Sequence, residues 1–180
     1  FNQMSALELI SERTACVIAE PIQAEAGIII PSESWMSALR RRCTETGTLL
    51  IFDEVQMGFG RTGRLMAFEH FDMIPDILCL AKGMGGGMPI GAFVSSKEFM
   101  NQLTYNPALG HITTFGGHPV SAAAALASLQ VIVKENLPAQ AEARGKQFVQ
   151  LLENHPLVSQ IRQIGLMLAV ELLPGYSVGK

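Results

Sequence analysis

Short, unbroken apolar runs alternate along this chain with longer segments in which apolar residues recur every four positions, and that alternation predicts an α/β protein. Ala15-Cys16-Val17-Ile18-Ala19, ended by Glu20-Pro21, predicts a strand buried on both faces, as in a parallel sheet. Ser32 is placed to cap a helix carrying Trp35, Leu39 and Cys43 on one stripe, and Gly47 falls where a left-handed C-terminal residue belongs. Thr48 to Phe52 predicts a second buried strand, so residues 15–52 form one strand, helix, strand unit.

Met66 to Phe71 leaves room only for a short helix ahead of Pro75. Asp76 to Ala81 and Ile90 to Ser95 predict a third and a fourth strand. Pro119, suited to a first helical position, opens a long Ala-rich helix that runs to about Glu135. That helix is expected to leave the sheet, which divides the chain into residues 1–130, part of a large sheet domain, and residues 131–180, the start of a smaller one. In the second part, Pro138 to His155 predicts a helix with Ala141, Phe148 and Leu152 on one stripe. Leu166, Leu168, Val170 and Leu172 alternate as a strand with one buried face. One helix and one strand cannot close a core, so the smaller α+β domain is expected to be incomplete.

Charge and composition narrow the function. The 13 Lys and Arg against 16 Asp and Glu give a net charge of −3, which argues against nucleic acid as a partner. With 48% hydrophobic and 16% charged residues the chain must hide apolar surface, against itself, a partner subunit or the rest of a longer polypeptide. Cys16, Cys43 and Cys79 form no Cys-x-x-Cys pair and predict buried thiols in a reducing compartment. The longest apolar run, Val120 to Val133, is too short for a bilayer and contains Ser121, Ser128 and Gln130. A cytoplasmic protein with no membrane partner is therefore expected.

In open α/β sheets ligands gather beyond the carboxyl ends of the strands, and the residues there are polar: Glu20, Gln23 and Glu25 after the first strand, Asp53, Glu54 and Gln56 after the second, Lys82 after the third. Lys82 is either a surface charge closing a strand or a reactive amine. Gly83, Gly85, Gly86 and Gly87 favour the second reading, since they clear side chains where a ligand would approach the backbone. Asp53 reads as a helix cap or loop ion pair, or as the partner of a bound cation, and a protonated pyridine nitrogen is one such cation. Lysine as Schiff base with aspartate on a pyridinium nitrogen is the pairing that pyridoxal phosphate demands.

Gly58-Phe59-Gly60-Arg61-Thr62-Gly63 matches the dinucleotide G-x-G-x-x-G pattern. The long following helix is missing, however, and Asp53-Glu54 would stand near the pyrophosphate, so a turn-rich structural loop accounts for it better. Thr113 and Thr114, beside Gly116 and Gly117, form either a capped turn or a phosphate contact. His70, His111, His118 and His155 show no metal-ligand spacing.

These motifs, from Glu20-Pro21-Ile22-Gln23-Ala24-Glu25-Ala26-Gly27 through Asp53-Glu54-Val55-Gln56 and Ala81-Lys82-Gly83 to Thr113–Gly117, resemble in order and spacing the class III pyridoxal-phosphate aminotransferases. The chain is more similar to the acetylornithine and ornithine branch than to 4-aminobutyrate aminotransferases. The resemblance implies a fold-type-I transferase with a large mixed sheet. It implies that Lys82 forms the Schiff base with pyridoxal phosphate and shuttles the substrate proton, that Asp53 pairs with the pyridine nitrogen, and that Val55 packs on the ring while Gln56 bonds the phenolic oxygen. It further implies that Thr114, with Thr113, reaches the cofactor phosphate of the neighbouring subunit in a homodimer, and that Glu25 lies in the substrate pocket. Glu20 is read as structural.

The implied reaction is ping-pong transfer of an amino group from an ornithine- or acetylornithine-like donor to a 2-oxo acid such as 2-oxoglutarate. The chain departs from the family in having His118 where Asn is usual, which predicts a weaker helix cap. Family chains are more than twice as long, with the phosphate loop, the ring-covering aromatic and the substrate-carboxylate arginine outside the matching segment. A non-catalytic fragment or binding module of the same fold, or a racemase or aminomutase, are the competing readings.

Overall fold

The computed structural model describes residues 1–108 and 110–177. In chain order its elements begin with α1 (Met4–Leu7), β1 (Cys16–Ala19), α2 (Glu33–Thr46), β2 (Leu49–Asp53) and β3 (Ile77–Leu80). They continue with β4 (Ala92–Ser95), α3 (Lys97–Gln102), α4 (Pro119–Lys134), α5 (Leu137–Leu152), β5 (Val158–Ile164) and β6 (Met167–Leu172). The predicted short helix before Pro75 is a 3-10 turn over Ala67–Phe71, and a second such turn, Lys82–Gly85, follows β3.

Helix α2 starts and stops where its sequence directs. Ser32 Oγ accepts from the Trp35 amide at 3.2 Å, and Gly47, at φ 68°, ends the helix while the Thr48 amide bonds back to the Cys43 carbonyl at 2.9 Å. Trp35, Met36, Leu39 and Cys43 then meet Leu50 and Phe52 of β2 in the main core. Asp76 Oδ2 locks this layer, accepting from Arg40 Nη1 at 2.8 Å and from the Leu50 amide at 2.7 Å.

The main sheet has the order β1-β2-β3-β4, parallel from β1 to β3 and antiparallel at β4. The link from Leu80 to Ala92 is too short to cross over the sheet, so the chain must turn back on itself. Val17, Leu50, Phe52 and Leu78 face α2, and the alternate residues Ile18, Ile51, Asp53 and Cys79 face away. This corrects the expectation that the first strand is buried on both faces. It is an edge strand covered by α2 on one side, which leaves Ile18 67% exposed and Cys16 exposed, so of the three thiols only Cys43 is buried. Phe93 is exposed on the same side as Ile18.

The C-terminal part departs further from expectation. It contains a two-stranded antiparallel sheet, β5 with β6, where a single strand was predicted. In Val158-Ser159-Gln160-Ile161-Arg162-Gln163-Ile164 the apolar residues recur every three positions, so β5 carries no strand periodicity. In β6 the deepest residue is Met167, which packs with Ala169 and Ile164 against Ile22, Ile28 and Met57, while Leu166 lies in the turn, 49% exposed. The buried stripe of α5 is Ala141 and Gly145, and Phe148 faces solvent. Contact is so close that a Cβ on Gly145 would overlap the Gly165 carbonyl, and one on Gly165, at φ +57°, would overlap the backbone of Arg61 to Gly63.

The loop that matches the dinucleotide pattern is consumed by this packing. Gly60 lies against Pro138, Gly63 against Glu142, and the Leu166 amide donates to the Arg61 carbonyl at 2.8 Å. Gly60 and Gly63 serve close contact with the C-terminal segment, and Gly58 packs against Glu54 and Met66. Among the described residues no helix is long and apolar enough to cross a membrane.

Candidate active site

The three parallel strands end side by side, and their following residues build one polar face. Beyond β1, residues 20–29 form a tight loop: Glu20 Oε2 accepts from the Ala24 amide at 2.9 Å, and Gln23 and Ile29 exchange backbone bonds at 3.1 and 3.0 Å. Ile22 and Ile28 anchor that loop in the second core, which leaves Glu25 exposed at its tip. Glu20 is therefore structural, as expected.

Asp53 ends β2 in register with Cys79, three residues before Lys82. Its Oδ1 accepts from the Val55 amide at 2.9 Å; among the described residues Oδ2 has no hydrogen bond and the carboxylate has no ion pair. A half-buried carboxylate left so is open to a cation. Lys82 is exposed at φ +43°, a backbone region that lysine adopts rarely and that favours a functional reading of the position. Its Nζ donates to Gln56 Oε1, and Gln56 Nε2 in turn donates to Glu25 Oε1 at 3.0 Å. Lys82, Gln56 and Glu25 thus form one hydrogen-bonded row beside Asp53, and Val55 is half-buried beside them.

Thr113 and Thr114 lie apart from this row. They are exposed and line a cavity of about 550 Å³ with Ile90, Gly91 and Ser121, and among the described residues no hydrogen bond joins them to Asp53, Gln56 or Lys82. Helix α4 follows with Pro119 at its first turn, and His118 makes no side-chain cap, in line with the weak cap expected there. The glycines after Lys82 have mixed roles. Gly85 makes room for Ile90 and Gly86 for Ser128 of α4, which corrects the view that all four clear space for a ligand; Gly87 faces open space.

Glu54 is the residue whose role the sequence did not disclose. It is fully buried, and its two oxygens accept from the Ala67 and Phe68 amides at 2.9 and 2.7 Å, pinning the Ala67–Phe71 turn to the end of β2. Burial pushes its carboxyl up to about 7, against the pull of those two bonds. Burial and the Asp53 charge likewise raise the Cys79 thiol.

The folded carboxyl of Glu54 keeps its proton to about pH 7, whereas an unfolded one releases it near 4.5, so stability falls as pH rises through that window. The expected loss is about 3 kcal/mol. Unfolding measured at pH 5 and pH 8 should show this loss in the parent and not in Glu54→Gln. Parallel pH dependence in the two proteins would refute it.

The donor set fits pyridoxal phosphate: an amine on a strained backbone, an amide that positions it, and an unpaired carboxylate at the neighbouring strand end. Among the described residues no group of three or more His, Cys, Asp or Glu could hold a metal ion.

A lysine and an aspartate stand at the carboxyl ends of adjacent parallel strands in a mixed sheet, the arrangement that the class III resemblance implies. The family profile "Aminotransferase class-III" matches residues 1–179, and the chain belongs to that family of pyridoxal-phosphate-dependent enzymes. It is similar to the ornithine aminotransferase of Toxoplasma gondii, at 36% identity and a TM-score of 0.87 over 96% of this chain and 42% of that one. It is also similar to the ornithine δ-aminotransferase of Plasmodium falciparum, at 34% identity and a TM-score of 0.85 over 96% of this chain and 46% of that one. An (S)-enantioselective ω-transaminase from Thermomicrobium roseum shares 37% identity, with a TM-score of 0.81 over 89% of this chain and 37% of that one. The chain therefore spans less than half the length of these relatives.

Proposed function

We propose that this chain supplies the lysine-bearing part of an aminotransferase active site that moves an amino group from an ornithine- or acetylornithine-like donor to a 2-oxo acid such as 2-oxoglutarate. The observation that carries the reading is the Lys82, Gln56, Glu25 row beside an unpaired Asp53. The ornithine aminotransferases among the similar structures favour that donor class.

Bound pyridoxal phosphate supplies an electron sink for the bond broken at the donor's amine-bearing carbon. Lys82 Nζ holds the cofactor covalently and, when free, accepts the proton released from that carbon and keeps it for redelivery. Asp53 would hold the protonated ring nitrogen and Val55 would bound the ring. Gln56, which accepts from Lys82, would restrain the amine and the phenolic oxygen. Glu25, exposed at the tip of its loop, would lie in the substrate pocket, where its carboxylate is free to meet a cationic group. Thr113 and Thr114, exposed ahead of α4, contact phosphate across a homodimer, and the open apolar side chains Ile18 and Phe93 are consistent with further protein covering that face. Residues 1–130 belong to the large domain and 131–180 to the small one; the separate β5-β6 sheet supports the division, and α4 carries the chain across it as continuous helix. Residues 178–180 lie outside the described residues. A cytoplasmic location completes the reading.

Borohydride reduction of the cofactor-loaded, full-length protein followed by peptide mapping should place the pyridoxyl label on Lys82. A label on Lys97 or Lys134 would overturn the assignment.

A further inference from the structure

The loop that presents Glu25 is held from outside the sheet. Arg162, in the middle of β5, donates from Nε to the Gly27 carbonyl at 2.6 Å, across 135 positions of sequence. Its Nη1 bonds Glu171 Oε1 at 2.7 Å and Gln160 Oε1 at 3.0 Å. The β5-β6 register sets Gln160 opposite Glu171 and Arg162 opposite Ala169, so all three polar side chains share one face of the hairpin. Gly27 is shaped for this contact: at φ +105° it has no Cβ, and one would lie 2.9 Å from Arg162 Nη2. Two residues away, Glu25 accepts from Gln56, which accepts from Lys82. A path of polar contacts thus runs from the end of β3, through the loop, to β6.

We propose that Arg162 is a positioning residue that latches the 20–29 loop to the C-terminal hairpin and thereby holds Glu25 within reach of Gln56 and of the amino donor. The proposal rests on the active-site reading above. A charged donor to a carbonyl is stronger than a neutral one, and here the guanidinium is oriented by Glu171 before it meets the loop. Within the loop, Gln23 pairs with Ile29, Glu20 accepts from the Ala24 amide, and the Ala24 carbonyl accepts from the Gly27 and Ile28 amides at 3.0 and 3.2 Å, while Ile22, Ala24 and Ile28 pack in the second core; Arg162 ties this turn to the hairpin from outside, as Gln56 ties Glu25 to the sheet.

Amide hydrogen exchange of the full-length protein, with and without pyridoxal phosphate, tests the latch directly. Arg162→Ala should speed exchange at Gly27, Ile28 and Ile29 by roughly tenfold while β2 and β3 keep their protection, with partial recovery in Arg162→Lys. In steady state the same Ala variant should raise KM for the amino donor about five- to tenfold with kcat within about twofold. Glu171→Gln, which leaves the arginine in place, should show the same pattern weakened and serves if the Ala variant does not fold. Unchanged loop exchange, acceleration spread evenly over the sheet, or a fall in kcat at constant KM would each overturn the latch. A borohydride label away from Lys82 would instead remove the active-site reading, and loop exchange would still decide whether Arg162 holds the loop.

Discussion

Lys82→Ala in the full-length protein is expected to lower transamination by at least roughly 10⁴-fold, the upper range for loss of a positioned proton carrier, because the covalent attachment is lost at the same time. The change leaves the fold alone. Lys82 is exposed, and among the described residues its side chain makes one hydrogen bond, to Gln56. The melting temperature of the cofactor-free protein should therefore stay within a few degrees of the parent, while the absorbance of covalently held cofactor disappears. Retention of more than about a tenth of the activity would mean that another group moves the proton, since a carrier of this kind contributes at least a hundredfold.

Asp53→Asn should act on a different quantity. The amide keeps the shape of the side chain and can still accept from the Val55 amide, so the end of β2 is undisturbed. What it lacks is the negative charge that keeps a ring nitrogen protonated, and the chemical step should slow by about 10²- to 10³-fold, the scale on which one preorganised electrostatic contact acts. Single-turnover measurement with a saturating donor separates this from binding. A parent-like rate in that experiment would leave Asp53 with a structural role only.

The contrast between what the sequence disclosed and what it hid follows from the range of the interactions involved. The strand, helix, strand core was legible because Ser32, Gly47 and the stripe of α2 are local signals that agree with one another. The placement of Lys82 and Asp53 at strand ends was legible from the apolar runs that precede them, and the register of Asp53 with Cys79 brings the two motifs to neighbouring positions. β5 was hidden because its apolar residues keep a helix-like period and its partner strand, not its own pattern, makes it extended. Arg162 was hidden for a related reason: its contacts with Gly27 and Glu171 join distant parts of the chain, and nothing near it in sequence marks it as more than a surface cation. Glu54 was seen as one of several polar residues after β2, but only the folded chain shows that its two oxygens are taken by the Ala67 and Phe68 amides.

Ser128 donates to the Gly83 carbonyl at 3.5 Å, and its Cβ stands 3.0 Å from where a Cβ on Gly86 would lie, so α4 presses on the segment that carries Lys82 from behind. The same helix runs unbroken to Lys134 and leads directly into α5 and the hairpin. A helix transmits displacement along its axis with little give, and this one is about 24 Å long at 1.5 Å per residue. The segment that carries Lys82 and the C-terminal hairpin are therefore joined twice, by the chain of polar contacts through Gly27 and by one helix that leads into α5, so a displacement of the hairpin bears on the strand end from two sides.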